Sequence, residues 1–322
     1  MEAHLVVMLP ALNEERTIAS VITNIPKSIL GVSRISVLVI DDRSTDSTAD
    51  IARTAGAFVV SHPHTMGVGA AFHTGIKEAL SLGADYIVNI DADGQFNPQD
   101  ISLLLEPIQH GKADFVTASR FAKKEFMPQM PTIKVWGNKW MVRIINFITS
   151  KTFTDVSCGF RAYSREAALR LTLFGRFTYT QESFIDLAFK GVAMTEVPLK
   201  VRGEREFGTS RVASNLWRYG VKSLSIIFRA ARDYKPFYFI GVPGVVVLVL
   251  GILMGILVTY HYIATGHTSP YRSLVTGSGM FMIIGFLLLF ISLLADMTHR
   301  NRMGIEELLY LARKTTYTKR DE

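Results

Sequence analysis

The 322-residue chain holds a single cysteine, Cys158, which excludes an intramolecular disulfide, fits a reducing compartment and reads as a small core residue. No basic region precedes the first apolar run, Leu5 to Leu12, and the run is short. It reads as a strand rather than a signal peptide, so the N-terminal domain is expected to stay on the side where it is made. The dinucleotide fingerprint G-x-G-x-x-G is missing: Gly67-Val68-Gly69-Ala70-Ala71 has other spacing and follows the third strand-like segment, which disfavours a dehydrogenase. Internal repeats and low-complexity segments are lacking. Acidic residues are in deficit, 28 against 35 Lys and Arg, for a net charge of +7. Such a balance admits a nucleic-acid partner. Much of the excess flanks two apolar runs, however, where anionic lipid headgroups account for it, and no nucleic acid is expected.

Those runs, Phe237 to Ile263 and Ser273 to Ala295, lack Asp, Glu, Lys and Arg, with His261 the one basic group. Each reaches the roughly 20 apolar residues that cross a bilayer. Arg218, Lys222, Arg229, Arg232 and Lys235 precede the first; His299, Arg300, Arg302, Arg313, Lys314, Lys319 and Arg320 follow the second; the connecting loop offers Arg272. The positive-inside rule then gives a multi-pass integral membrane protein with its large domain and both termini cytoplasmic. Between Val212 and Tyr234, Trp217, Val221, Leu224, Phe228 and Ala231 recur opposite basic residues. The pattern suits an interfacial amphipathic helix, or an ordinary helix docked on the domain. The expected divisions are a large N-terminal domain over 1–211, a juxtamembrane helix over 212–235, two transmembrane helices over 236–296 and a cytoplasmic tail over 297–322, loose after Lys314. Such a hairpin gains buried surface by pairing with a second copy, which leaves a homo-oligomer open.

Before position 200, strand-like segments (Leu5–Leu9, Ile35–Ile40, Phe58–Ser61, Asp85–Ile90, Phe115–Ala118) alternate with helix-like ones (Glu14–Ile25, Thr45–Ala55, Gly69–Ser81, Pro98–Ile108). Alternation of this kind predicts an α/β fold with a mostly parallel sheet covered on both faces. Beyond Pro131 it loosens into a helix, a polar turn over Lys151 to Gly159, further helices and a strand near Met194 to Leu199.

Asp91-Ala92-Asp93-Gly94-Gln95 follows the fourth strand-like segment. Two carboxylates two residues apart at the carboxyl end of a parallel strand can face one hard cation, Mn2+ or Mg2+, together with substrate phosphates. Alone the motif is common by chance, and an acidic solvated turn is the ordinary alternative. Pro10-Ala11-Leu12-Asn13-Glu14-Glu15 and Ile40-Asp41-Asp42-Arg43-Ser44-Thr45-Asp46 are polar loops at adjacent strand ends that can surround a nucleoside, although Asn13 and Asp46 also suit helix caps. Gln181-Glu182 either touches a substrate or starts a helix, Arg161 organises the loop around Asp155, and the His62 and His64 pair reads as loop polarity.

With Ser119-Arg120, Asp155-x-x-Cys158-Gly159-Phe160-Arg161 and Arg205-x-x-Gly208-x-Ser210-Arg211, these motifs resemble the family 2 inverting glycosyltransferases of the GT-A, Rossmann-like fold. Within them the resemblance is to the polyprenyl-phosphate sugar synthases typified by dolichyl-phosphate mannose synthase, and it runs from Pro10 to about Tyr234. It implies metal binding by Asp91, Asp93 and Gln95. Pro10, Asn13, Glu14, Asp41, Asp42 and Ala92 would surround the nucleotide. Arg205 and Arg211 would close on the donor diphosphate, and Arg120, Lys134 and Asn138 would lie near the acceptor phosphate. Asp93, Arg120, Arg205 and Arg211 are the expected catalytic residues. The family usually carries Lys where this chain has Arg211, and often Arg and Ser where it has Lys134 and Asn138.

The expected reaction is inverting transfer of one hexose, mannose from GDP-mannose first, to dolichyl or polyprenyl phosphate at a membrane surface. A UDP-glucose-dependent polyprenyl-phosphate glucosyltransferase is the near alternative, and a noncatalytic nucleotide- or lipid-binding scaffold the distant one. A processive polysaccharide synthase is disfavoured because Q-x-x-R-W is not found.

Overall fold

The computed structural model describes residues 3–128, 132–173, 179–202, 225, 234 and 236–318, with the side chains of 133 and 134 outside the description. The chain divides into two compact units, residues 1–227 with 309–322, and residues 228–308.

In the first unit the strands are β1 (His4–Ala11), β2 (Arg34–Asp41), β3 (Phe58–Ser61), β4 (Tyr86–Asn89), β5 (Phe115–Ser119), β6 (Arg161–Ser164) and β7 (Met194–Pro198). They form one sheet in the order β3-β2-β1-β4-β6-β5-β7. Leu5, Val6, Val7, Met8 and Leu9 are all fully buried. A central parallel strand covered by helices on both faces has no polar side, which is why β1 reads as a continuous apolar run. The chain moves outward from β1 through β2 to β3, then returns to add β4 on the other side of β1. That reversal makes the carboxyl ends of β1 and β4 a topological switch point, where open α/β sheets leave a crevice.

The helices of this unit are α1 (Ile18–Thr23), α2 (Thr48–Thr54), α3 (Val68–Ser81), α4 (Ile101–Gln109), α5 (Thr132–Thr149), α6 (Arg165–Arg170) and α7 (Thr180–Phe189). The alternating pattern is as expected, with one difference. Strand β6 is antiparallel to both neighbours, β4 and β5, inside an otherwise parallel sheet. Its sequence Arg-Ala-Tyr-Ser has no apolar run because its largest fully buried side chain is a guanidinium. Arg161 is 0% exposed. It donates to the carbonyls of Val156 (3.2 Å), Cys158 (2.8 Å) and Thr180 (2.9 Å) and to Ser183 Oγ (2.6 Å), and lies 4.7 Å from the Phe184 ring centroid. A charge with this many acceptors can be buried where an unpaired one cannot.

The second unit contains two long apolar helices. A π-helical turn, Phe237–Gly241, leads into α8 (Val242–Thr265), and α9 runs from Arg272 to Thr318. Both helices are long and apolar enough to cross a membrane. Helix α9 is longer than expected. Its 47 residues, at ~1.5 Å each, extend about 70 Å, and the tail expected to be loose after Lys314 is helical to Thr318. Residues 309–318 belong to the first unit. There Tyr310 Oη donates to Glu166 Oε2 (3.0 Å), Arg170 lies 4.3 Å from the Tyr310 ring centroid, Arg313 donates to Leu169 O (3.2 Å) and Arg165 donates to Tyr317 O (3.1 Å). The interfacial helix expected over 212–235 lies outside the described residues apart from positions 225 and 234.

Helices α8 and α9 pack through glycine. A Cβ at Gly285 would fall 2.5 Å from Leu248 N, and one at Gly251 would fall 2.7 Å from Met282 N. Small residues allow this backbone approach where lipid supplies no hydrophobic drive. Gly285→Val should therefore cost roughly 1–3 kcal/mol, the usual penalty of overpacking. Gly279, where a Cβ would meet nothing within 4 Å, should accept Val without penalty. Thermal unfolding of the two variants in detergent checks the contrast, and equal midpoints would contradict the packing.

Candidate functional site

The loops at the ends of β1 and β2 hold one another. Asn13 Oδ1 accepts from Thr45 N (2.8 Å), Asn13 N donates to Ser44 Oγ (2.9 Å), Glu14 N to Thr48 Oγ1 (2.8 Å) and Glu15 N to Asp46 Oδ2 (3.3 Å). Asn13 (φ 54°) and Arg43 (φ 67°) adopt left-handed backbone, which side chains other than Gly rarely do. Such conformations persist only where surrounding bonds over-determine them, and they cluster at ligand sites. Pro10 is half-buried near the end of β1, between buried Leu9 and Ala11.

The two aspartates after β2 differ in what they hold. Asp41 Oδ1 accepts from Ser44 N (2.9 Å) within its own turn. Asp42 is engaged by the next loop: Met66 N and Gly67 N donate to its two oxygens at 2.8 Å each, and the His62 ring bridges Asp42 Oδ1 (2.8 Å) and Thr74 Oγ1 (3.0 Å). His62 is buried whereas His64 is exposed. Reading the pair as loop polarity therefore misses His62, which ties the β2 loop to the start of α3. A lone histidine carries no sequence signal for such a partner.

After β4, Asp91, Asp93 and Gln95 occupy one turn centred on Gly94 (φ 73°). Gln95 N donates to Asp93 Oδ1 (3.1 Å), and Thr17 Oγ1 donates to Ala92 O (2.7 Å), tying this turn to the β1 loop. Opposite stands Gly159, where a Cβ would lie 2.9 Å from Asp91 Oδ2 and 3.0 Å from Tyr179 Oη. Only a residue without a side chain leaves room for the Asp91 carboxylate. Beneath it, buried Asn89 Nδ2 donates to Gly159 O (2.7 Å) and Tyr179 Oη (2.8 Å).

Two carboxylates and an amide in one turn fit a divalent cation of the Mn2+ or Mg2+ type, which takes its remaining ligands from water and phosphate. Among the described residues no third His, Cys, Asp or Glu completes an all-protein cage. The donor set thus suits a metal shared with a substrate rather than a structural one.

The third cluster joins the end of β5 to the loop before β6. Arg120 grips Asp155 with two forked bonds, Nε to Oδ2 (2.6 Å) and Nη2 to Oδ1 (3.0 Å), and donates to Ser157 Oγ (2.7 Å). Ser157 Oγ lies 3.0 Å from Asn138 Oδ1 of α5, so Arg120 and Asn138, expected to act together, belong to one network. Burial by itself would raise the Asp155 pKa. The Arg120 charge and hydrogen bonds from Ser157 and Arg120 outweigh it and hold the carboxyl below its ordinary value. Nearby, burial pushes the Cys158 thiol up to about 12, in keeping with a core residue rather than a reactive one. Arg205 and Arg211 lie outside the described residues, as does the Lys134 side chain. Gln181 and Glu182 fall in the first turn of α7, with Gln181 fully buried.

A model of glycosyl transferase family 2 matches residues 6–172, more than half of the chain. The chain belongs to glycosyl transferase family 2. Its sheet is that of the GT-A-like α/β fold. Glycosyltransferase AglJ of Haloferax volcanii is 29% identical over 308 residues, which are 94% of this chain and 97% of that one. UDP-N-acetylglucosamine--dolichyl-phosphate N-acetylglucosaminyltransferase of Methanococcus voltae is 29% identical over 60% of this chain and 83% of its own length. Undecaprenyl-phosphate mannosyltransferase of Micrococcus luteus is 30% identical over 62% and 85%. Among solved structures, glucosyl-3-phosphoglycerate synthase from Mycobacterium tuberculosis with Mn2+ and UDP-glucose is 25% identical. It covers 71% of this family 2 chain and 79% of its own, with a TM-score of 0.55.

Arg120→Gln should lower stability by roughly 3–5 kcal/mol, because it leaves the Asp155 carboxylate buried without its cation. The depressed native pKa of Asp155 sets the sign with pH. Its contribution is present above the ordinary value of 3.8 and is lost as pH falls through the lower native value. Acid unfolding followed by circular dichroism should show the variant's deficit at neutral pH shrinking below that range; a constant deficit would contradict the assignment.

Proposed function

We propose that this family 2 glycosyltransferase moves one hexose from a nucleotide sugar to a polyprenyl phosphate, inverting the anomeric centre, with mannose from GDP-mannose as the first donor. The observation that carries the reading is one loop, Asp155 to Gly159, which holds the Arg120 and Asn138 network at one end and at the other stands against the Asp91 carboxylate of the cation-type turn. The names of the relatives from M. voltae and M. luteus support a polyprenyl-phosphate acceptor.

The chemistry asks little of the protein in proton transfer. A lipid monophosphate has a second pKa of about 6 and is already largely anionic at neutral pH, so no dedicated base is required. The site must instead bring two anions together and hold one phosphate oxygen behind the anomeric carbon. Asp41, with one carboxylate oxygen in the β2 turn, and Asn13 and Glu14 would line the nucleoside, with Pro10 and Ala92 shaping its walls. Asp42 would position the loop rather than touch the ligand, given its three bonds to its own chain. Asp91, Asp93 and Gln95 would hold a divalent cation, which supplies charge stabilisation to the departing nucleoside diphosphate. Arg205 and Arg211 would close on that diphosphate. Arg120, Lys134 and Asn138 would serve the acceptor phosphate, Arg120 while remaining anchored to Asp155.

Helix α5 adds a feature with no counterpart among the sequence motifs. Trp136 and Trp140 are 63% and 47% exposed and lie edge to face at 5.8 Å, on the same helix as Asn138. Exposed indoles are at home at a membrane–water boundary, where the acceptor phosphate must be met. In this reading α8 and the apolar part of α9 form a membrane hairpin, with the catalytic unit and both termini cytoplasmic. A UDP-linked donor is the second reading, favoured by the UDP-sugar named for the M. voltae relative.

Purified protein given labelled GDP-mannose, UDP-glucose or UDP-N-acetylglucosamine with polyprenyl phosphate should place label in the lipid phase with Mn2+ or Mg2+ and none with chelator. The productive donor identifies the sugar; no label from any donor would count against the reading. Asp93→Asn should keep the fold, since an amide oxygen still accepts from Gln95 N, and should reduce transfer by about 10²-fold or more. Near-normal turnover would remove Asp93 from the site.

A further inference from the structure

Away from these loops, a cavity of about 180 Å3 lies between α3, α6 and the last turns of α9. Space for one water on this measure is roughly 10–15 Å3, so the cavity admits something larger. Its floor is apolar, with Phe72, Ile76 and Leu171 among its walls, and its other sides include His73 and Lys77 of α3 and Arg313 of α9. No carboxylate among the described residues lines it. Among the described residues the His73 and Lys77 side chains, both exposed at the cavity mouth, make no hydrogen bond or ion pair. Asp186, the carboxylate whose charge acts on Arg313, is held by Lys190 Nζ (2.8 Å) and Thr172 N (3.0 Å). Partial burial first, and then the charges of Arg313 and Lys77, hold the His73 imidazole below its ordinary pKa, so the ring is neutral beside two cations.

We propose that this cavity is an anion site for a phosphate ester bearing a short apolar group, with Lys77, His73 and Arg313 receiving the phosphate and the Phe72, Ile76 and Leu171 side chains the apolar part. Two cations, Lys77 and Arg313, stand beside a neutral imidazole at the mouth of one apolar pocket, and a phosphate would relieve their repulsion while accepting donors from all three side chains. Arg313 is already fixed by its bond to Leu169 O, so one side of the site is built before any ligand arrives. The ester would come from a lipid headgroup or be a free phosphate, and the test separates the two.

The test uses the full chain in neutral detergent, with dihexanoylphosphatidate, inorganic phosphate and zwitterionic dihexanoylphosphatidylcholine as probes. Binding is read by calorimetry on wild type, on the double variant His73→Gln/Lys77→Gln and on Lys77→Arg. Phosphatidate affinity should fall at least tenfold in the double variant and hold within about threefold in Lys77→Arg, with phosphatidylcholine not binding. Phosphatidate tenfold tighter than phosphate in wild type would identify a lipid headgroup; equal affinities would identify a free phosphate. Unchanged phosphatidate affinity in the double variant, or equal binding of phosphatidylcholine, would overturn the assignment. GDP and UDP binding measured in parallel reports the donor site, so a globally damaged variant is recognised and loss at one site is told from loss at the other.

Discussion

The buried Arg161 guanidinium is the contact on which the catalytic unit depends. It sits in the one antiparallel strand, between the strand that delivers the Asp91–Gln95 turn and the strand that delivers Arg120. Its bonds to Val156 and Cys158 carbonyls shape the loop that carries Asp155 and Gly159, and its bonds to Thr180 and Ser183 bring in α7. Without an acceptor for each of its donors such a charge would be expelled from the core, so the loop, the strand and the helix are folded together or not at all.

The same economy of shape appears across the switch point. The β1 and β2 loops are cross-bonded through Asn13, Glu14 and Glu15, the β2 loop is joined to α3 through Asp42 and His62, and Thr17 joins the β1 loop to Ala92. Four loops from four strands or helices thus form one connected frame before substrate binds. Preorganised polar groups stabilise developing charge without reorganising at the moment of reaction, which suits the proposed transfer between two anions.

Much of this was legible in the sequence. Strands with apolar runs were placed to within a residue or two, because a buried parallel strand must be apolar on both sides. The acidic turn after β4 and the polar loops after β1 and β2 were legible because their residue types are costly to place at a strand end without a ligand or a cap. Strand β6 was not, since its burial rests on hydrogen bonds from Arg161 rather than on apolar side chains. The role of His62 and the link from Thr17 to Ala92 depend on partners 20 and 75 residues away, and no local pattern encodes them. The Trp136 and Trp140 pair is plain in the sequence, four apart on a helix, but spacing alone does not tell an exposed indole pair from a buried one.

Residues 309–318 complete the surface of the catalytic unit, through Tyr310 on Glu166 and Arg313 on Leu169, yet they are made after α8 and the apolar part of α9. Folding therefore cannot finish in the order of synthesis. The α/β sheet can assemble first, as N-terminal domains generally do. The face formed by α3 and α6 stays uncovered while α8 and α9 are still being produced. The final turns of α9 then close it, making the finished catalytic unit a record that the whole hairpin has been built.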